Sequence, residues 1–198
     1  NKCFQGSGMT TTARPNTAQL LKQALKERIL VLDGAMGTMV QRYKLEENDV
    51  RGERFANHHK DLKNFGDILS LTHPEKITDI HRQYLEAGAD IVETNTFNAS
   101  PVGMAEFELP PELVREINLA AVANARIATD EFLEKTPDRP RFIAGSIGPT
   151  AQQTAISTNV DDAAHRGITF EEMEKSYYEQ VAALVEGGVD ILFPETVI

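Results

Sequence analysis

Cysteine is almost absent from this chain: Cys3 is the only one among 198 residues. That excludes an internal disulfide, and a single thiol cannot by itself build a thiolate metal site. Basic side chains are scarce too. Twenty Lys and Arg stand against thirty Asp and Glu, a formal net charge of −10, whereas nucleic-acid binders present a basic face. No run approaches the roughly 20 apolar residues of a membrane span, and the start of the chain lacks the charged, apolar and small-residue order of a signal peptide. The expectation is a cytoplasmic protein with no membrane and no nucleic-acid partner. With 41% hydrophobic and 25% charged residues, the composition is that of a soluble globular domain. The length exceeds the commonest domain size yet falls short of the ~250 residues of a typical (β/α)₈ barrel.

Residues 1–15 read as a disordered leader, with Met9 as a possible native start and Cys3 lacking any ordered partner. The informative stretch comes next. Ile29, Leu30, Val31 and Leu32 are four consecutive apolar residues, two of them β-branched, and predict a short strand buried on both faces. Asp33 follows where such a strand leaves the core, and Gly34 and Gly37 bracket a turn whose backbone can approach a ligand closely. Exposed N–H groups there suit an anion and Asp33 suits an ammonium, so the turn fits a zwitterionic amino acid. A plain strand-to-loop turn capped by Asp33 is the competing reading.

The rest alternates helices and strands. Asn16 with Gln19 has the spacing of a helix cap and its reciprocal partner, ahead of an apolar face of Leu20, Leu21, Ala24 and Leu25. Residues 39–43 continue into a short helix, and 45–65 read as a long polar excursion. His58 and His59 are adjacent and predict solvated surface rather than a metal pair. Thr72 and Glu75 form a predicted capping box around Pro74, opening a helix that carries Ile77, Ile80, His81, Tyr84 and Leu85 inward, with His81 a satisfied core histidine. A second strand spans 89–97. Pro110 and Pro111 open a long helix, 142–150 is a third strand with a glycine-bracketed, Pro-stiffened exit, and 151–167 is a second long loop in which His165 and Arg166 read as surface. Thr169 and Glu172 make another capping box, and 189–196 is a fourth strand. Met36, Met39 and Met104 read as core filler.

The chain also echoes itself. The run from Leu85 to Thr94 is answered by that from Leu184 onward, and Glu195–Thr196 repeats the acid–threonine pair of Glu93–Thr94. Such alternation implies right-handed crossovers and a parallel sheet. Function then belongs at the carboxyl ends of the strands, where Asp33, Thr94, Asn95, Thr96, Ser146 and Glu195 gather. Glu93 reads equally well as the structural partner of a nearby lysine or arginine.

On residues 28–38, 51–55, 67–74, 84–97 and 144–150 the sequence resembles the N-terminal homocysteine-binding module of cobalamin-dependent methionine synthase. The betaine and S-methylmethionine homocysteine methyltransferases share the Asp–Gly turn but are less similar around 51–55 and 67–74. The resemblance implies an α/β fold in which parallel strands alternate with helices, residues 16–198 being the first half of a (β/α)₈ TIM barrel. It implies a methyltransferase that binds homocysteine as a zinc thiolate. The methyl group comes from methylcobalamin, recharged by 5-methyltetrahydrofolate on the remaining modules of the full-length enzyme. Carried onto this sequence, it puts Asp33 near the sulfur and zinc as the catalytic residue, the backbone of Gly34 and Ala35 at the substrate carboxylate, Thr94, Asn95 and Thr96 on the pocket wall, and Glu195 at the amino group. The zinc cysteines of the family lie on later strands, so no metal ligand is expected within residues 1–198, and the fragment alone is expected to be inactive. Pro194 before Glu195 departs from the family and gives up a ladder N–H, which puts the aim of Glu195 in question. A half-barrel that binds an amino acid without chemistry is the reading from another class.

Overall fold

The computed structural model describes residues 16–150, 152, 154 and 167–196. The leader at 1–15 with Cys3 and Met9, most of the 151–167 loop, and His165 and Arg166 lie outside the described residues. Three parallel strands form one sheet in chain order: β1 (Ile91–Glu93), β2 (Phe142–Ile147) and β3 (Ile191–Pro194). A parallel bridge from Leu32 to Ile91 adds a fourth position at the β1 edge. The sheet is thus the parallel array that alternating strands and helices predict, but its first member is only a bridge. Residues 29–32 are not buried on both faces, for Ile29 is 89% exposed and Val31 52%. The physical reason is position: this segment is the sheet edge, and its outward side chains meet no further strand among the described residues.

Helices α1 (Thr17–Glu27), α2 (Met36–Gln41), α3 (Glu47–Arg51), α4 (Leu69–Thr72) and α5 (Pro74–Glu86) precede β1. Helices α6 (Pro101–Met104) and α7 (Glu112–Lys135) lie between β1 and β2, and α8 (Phe170–Gly187) between β2 and β3. The 24 residues of α7 make a rod of about 36 Å that packs on α5 and α8. Under it, Leu85, Val92, Ala125, Ala128, Phe132 and Ile143 form one buried cluster, and Val122, Ile147 and Leu184 another. Each such fully buried aliphatic or aromatic side chain contributes about 2 kcal/mol. Residues 45–65 are not a solvated excursion. Val50, Phe55, Leu62 and Phe65 are buried with Met39, Ile68, Leu69, Ile77 and Ile80, and the Glu47 carboxylate inside the segment accepts the N–H groups of Leu62 and Lys63. No helix among the described residues is long and apolar enough to cross a membrane.

The caps divide. At α8 the predicted box forms: Glu172 N donates to Thr169 Oγ1 at 3.2 Å and Thr169 N to Glu172 Oε2 at 2.9 Å. At α5 it does not. Pro74 forces the preceding residue out of the helical region, so His73 (φ −139°, ψ 54°) becomes the cap and Thr72 closes α4 instead. Asn16 at α1 is left-handed (φ 70°) and makes no side-chain cap, and Leu20 and Leu25 on its apolar face stay exposed.

The internal echo has a structural cause. Gly88 (φ 108°) and Gly188 (φ 87°) end their helices in the left-handed region, which glycine occupies without strain. Two residues later Asp90 accepts Val31 N at 3.0 Å, and Asp190 accepts Ile143 N at 2.8 Å. Each acid pins the start of its own strand to the neighbouring one. Asp90 is fully buried and also receives Arg28 Nη1 and Nη2 at 2.6 and 2.8 Å and Arg139 Nε at 2.9 Å.

Candidate functional site

Strand register decides which side chains meet. Glu93 pairs with Ala144, and Ser146 with Phe193. Paired residues share a face and side chains alternate along a strand, so Glu93, Ser146 and Glu195 all lie on one face. Val92 and Ile143 take the other, into the helices. At the carboxyl ends of the strands this face opens into a cavity of about 520 Å³. All seven residues that the resemblance assigns to the substrate line it: Asp33, Gly34, Ala35, Thr94, Asn95, Thr96 and Glu195. Glu93, Ser146, Met36, Asp67, Phe97 and Asn98 join them, and among the described residues no Lys, Arg or His lines it.

Asp33 extends the bridge: its N–H donates to Ile91 O at 2.9 Å, and both carboxylate oxygens accept Glu93 N, at 3.1 and 3.2 Å. Burial pushes its pKa up to about 8; the Glu93 N–H opposes this, and the charges of Glu93 and Glu195 add to it. Gly34 packs closely under Tyr84: a Cβ there would stand 3.1 Å from the Tyr84 ring and hydroxyl, a tight contact that the ring would have to shift to accept. The Tyr84 hydroxyl in turn donates to Ala35 O at 3.2 Å and fixes the turn.

On the opposite wall, Pro194 does not redirect Glu195. Pro194 stays in register with Ile147, and Glu195 N donates to Ile147 O at 3.0 Å, so the ladder resumes one residue on. The Glu195 carboxylate accepts Ser146 Oγ. Among the described residues no lysine or arginine pairs with Glu93; the charged group acting on it is Glu195. Burial raises the Glu93 pKa, and the charge and hydrogen bond of Glu195 raise it further.

Thr94, Asn95 and Thr96 contribute wall rather than free polar groups. The Thr94 and Thr96 hydroxyls lie 2.7 Å apart, Thr94 Oγ1 accepts Ser146 N, and Thr96 Oγ1 donates to Ser146 O. Asn95 Nδ2 turns away to Gly66 O and Ser70 Oγ. Asp67 is the lining acid that sequence reasoning missed. It sits in a single 3₁₀ turn, Gly66–Ile68, too short for any periodic pattern. Its carboxylate accepts Asn98 N at 2.9 Å, and burial lifts its pKa to about 6 against that bond.

The other singled-out side chains fall elsewhere. His81 is buried in α5 but not satisfied, since neither ring nitrogen has a hydrogen-bond partner, and burial lowers its pKa to about 4. His58 Nε2 meets Phe107 O at 2.8 Å and His59 pairs with Glu108 at 2.6 Å. Met39 and Met104 are core residues, and Met36, partly buried, packs against the same core cluster while also lining the cavity. Among the described residues no group of three His, Cys, Asp or Glu side chains converges in a way that holds a metal ion. The cavity acids therefore do not fit the zinc that the resemblance implies, and no step below runs through a metal.

A parallel α/β sheet with a polar cavity at its carboxyl end defines a small-molecule site of the kind enzymes of this class build. Residues 30–198 match the family model for homocysteine S-methyltransferase, and the chain belongs to that family. Among solved structures it is similar to the homocysteine methyltransferase MmuM from Escherichia coli. The oxidized form shares 25% identity at a TM-score of 0.65, over 87% of this chain and 55% of that one. The metallated form shares 24% at 0.67, over 92% and 58%. The chain thus spans little more than half the length of the MmuM chains it matches.

Proposed function

We propose that the cavity binds homocysteine, as the amino-acid site of a homocysteine S-methyltransferase. The observation that carries this is the meeting of the Asp33–Gly34–Ala35 turn and Glu195 across one cavity in a chain of this family. In this reading the backbone of Gly34 and Ala35 takes the substrate carboxylate, Glu195 takes the ammonium, and Asp33 stands at the sulfur. A carboxyl that keeps its proton up to about pH 8 can sit beside a thiolate without repelling it and can donate a hydrogen bond to it. Thr94, Asn95 and Thr96 hold the wall rigid through their internal bonds.

The parallel order and the open edge at residues 29–32 support a half of a (β/α)₈ barrel. For the methyl donor we favour methylcobalamin, recharged by 5-methyltetrahydrofolate on other modules, on the motif resemblance to methionine synthase at 28–38, 51–55 and 67–74. Zinc would activate the thiol from cysteines outside residues 1–198, so the chain alone is proposed to bind homocysteine without turning it over. One observation favours a second reading. A cavity lined, among the described residues, by acids and the Phe97 ring and by no basic side chain suits a positively charged donor of the betaine or S-methylmethionine type.

Titration calorimetry of the 198-residue chain with L-homocysteine, with and without zinc, tests the proposal. Saturable binding that zinc leaves unchanged is expected. No binding refutes the amino-acid site, and zinc-dependent tightening refutes the assignment of the metal ligands to other residues. Methionine formed by the chain itself from homocysteine and S-methylmethionine would select the second reading.

A further inference from the structure

The mechanism above leaves Glu93 unused, although its carboxyl faces Glu195 across β2 in the same cavity. Both carboxyls line that cavity from the same face of the sheet, on the strands either side of β2, and the neighbouring Glu195 carboxylate disfavours ionisation of Glu93, so the pair holds a proton in place of a second charge. Their surroundings keep that proton local. Ser146 Oγ donates to Glu195, and Glu93 N donates to Asp33. The remaining titratable group lining the cavity, Asp67, is committed to Asn98 N. Among the described residues no Lys, Arg or His lines the cavity, so none of them compensates a second negative charge on the pair.

We propose that Glu93 and Glu195 together form the receptor for the substrate ammonium group, and that binding of the ammonium expels their shared proton to solvent. The inference rests on the amino-acid reading of the site and deepens it: selectivity for a free α-amine resides in a carboxyl pair rather than in Glu195 alone. The balance is simple. A carboxylic acid, a carboxylate and an ammonium become two carboxylates and an ammonium, with one proton released to buffer. Burial of Glu93 and the adjacent Glu195 charge raise the cost of the doubly charged pair, and the incoming positive charge removes that cost.

The test is calorimetry of the whole chain at pH 7 in buffers of different ionisation enthalpy. L-Methionine serves as the probe because it carries the ammonium but no titratable thiol, and L-homocysteine is run alongside. Release of about half a proton per methionine bound is expected, because burial and Glu195 raise the Glu93 pKa to about 7 and leave the free pair half protonated at that pH; 4-mercaptobutanoate, which lacks the amine, should release none. Glu93→Gln should bind methionine about 10- to 100-fold more weakly, the range of one hydrogen bond to a charged group, and should release no proton; Glu93→Asp should restore part of both. The comparison of the two ligands on unaltered protein stands even if Glu93→Gln folds poorly. Amine binding without proton release, or release that persists in folded Glu93→Gln and so belongs to Asp33, overturns the inference while leaving the homocysteine site intact. Failure of both amino acids to bind overturns the site and the inference with it.

Discussion

Asp90 ties the edge segment that carries Asp33 to the rest of the sheet, and replacing it with Asn isolates the effect of charge, because the amide keeps the shape and one acceptor for Val31 N. In the folded protein burial alone would push the Asp90 carboxyl up, but the bonds from Arg28, Val31 and Arg139 overcome that and hold its pKa at about 2, against an ordinary 3.8. Two units at about 1.4 kcal/mol each amount to roughly 3 kcal/mol. Because Arg28 and Arg139 are themselves about 40% exposed, they regain water when the carboxylate is lost, so the cost stays below the ~5 kcal/mol of a fully enclosed pair. The sign follows from the depressed pKa. The stabilisation is complete above pH ~4 and is lost as pH falls through about 2. Urea unfolding at pH 7 should therefore place Asp90→Asn about 2–3 kcal/mol below wild type, with the gap closing towards pH 2. A gap under about 1 kcal/mol at pH 7, or one that does not shrink on acidification, refutes the reasoning.

His81 supplies a second pH signature. Its folded pKa of about 4 lies below the ordinary ~6.5, so its contribution is intact above pH 6.5 and falls by up to roughly 3 kcal/mol as pH drops to 4. His81→Leu should remove that loss and, by deleting two unpaired buried nitrogens, stabilise the protein by about 1–2 kcal/mol at pH 7. Thermal melts of the two proteins at pH 7 and 4.5 check it through their difference, since Asp33 and Asp67, with raised pKa values, act with the opposite sign in both. Gly148→Ala would bring a Cβ to 2.4 Å from Phe97 O and 2.9 Å from its ring. A loss of about 1–3 kcal/mol and weaker homocysteine binding are expected, because Phe97 borders the cavity; unfolding and calorimetry on one sample read both.

The strand exits were legible in the sequence because a short apolar run followed by acids, glycines and threonines marks the carboxyl end of a parallel strand, and residues 91–97 and 142–150 behave that way. Local chemistry read well where nothing competed, as at Thr169 and Glu172. It failed where a neighbour overrode it: Pro74 displaced the Thr72 cap onto His73. Burial at Ile29 and Val31 was not legible, since it depends on what lies beyond the sheet edge rather than on the run itself. Pairings distant along the chain were hidden for the same reason. Nothing near Glu93 announces Glu195, nothing near Arg28 announces Asp90, and Asp67 sits in one irregular turn whose partner, Asn98, comes from another loop.

The central claim is that the Asp33–Gly34–Ala35 turn and the acids ending β1 and β3 enclose one amino acid. Heteronuclear NMR of ¹⁵N-labelled chain during titration with L-homocysteine tests it most directly. Saturable shifts concentrated at the amides of Gly34, Ala35, Glu93, Thr94, Asn95, Thr96 and Glu195 are predicted. Shifts confined to one wall, or to residues outside the cavity, contradict it.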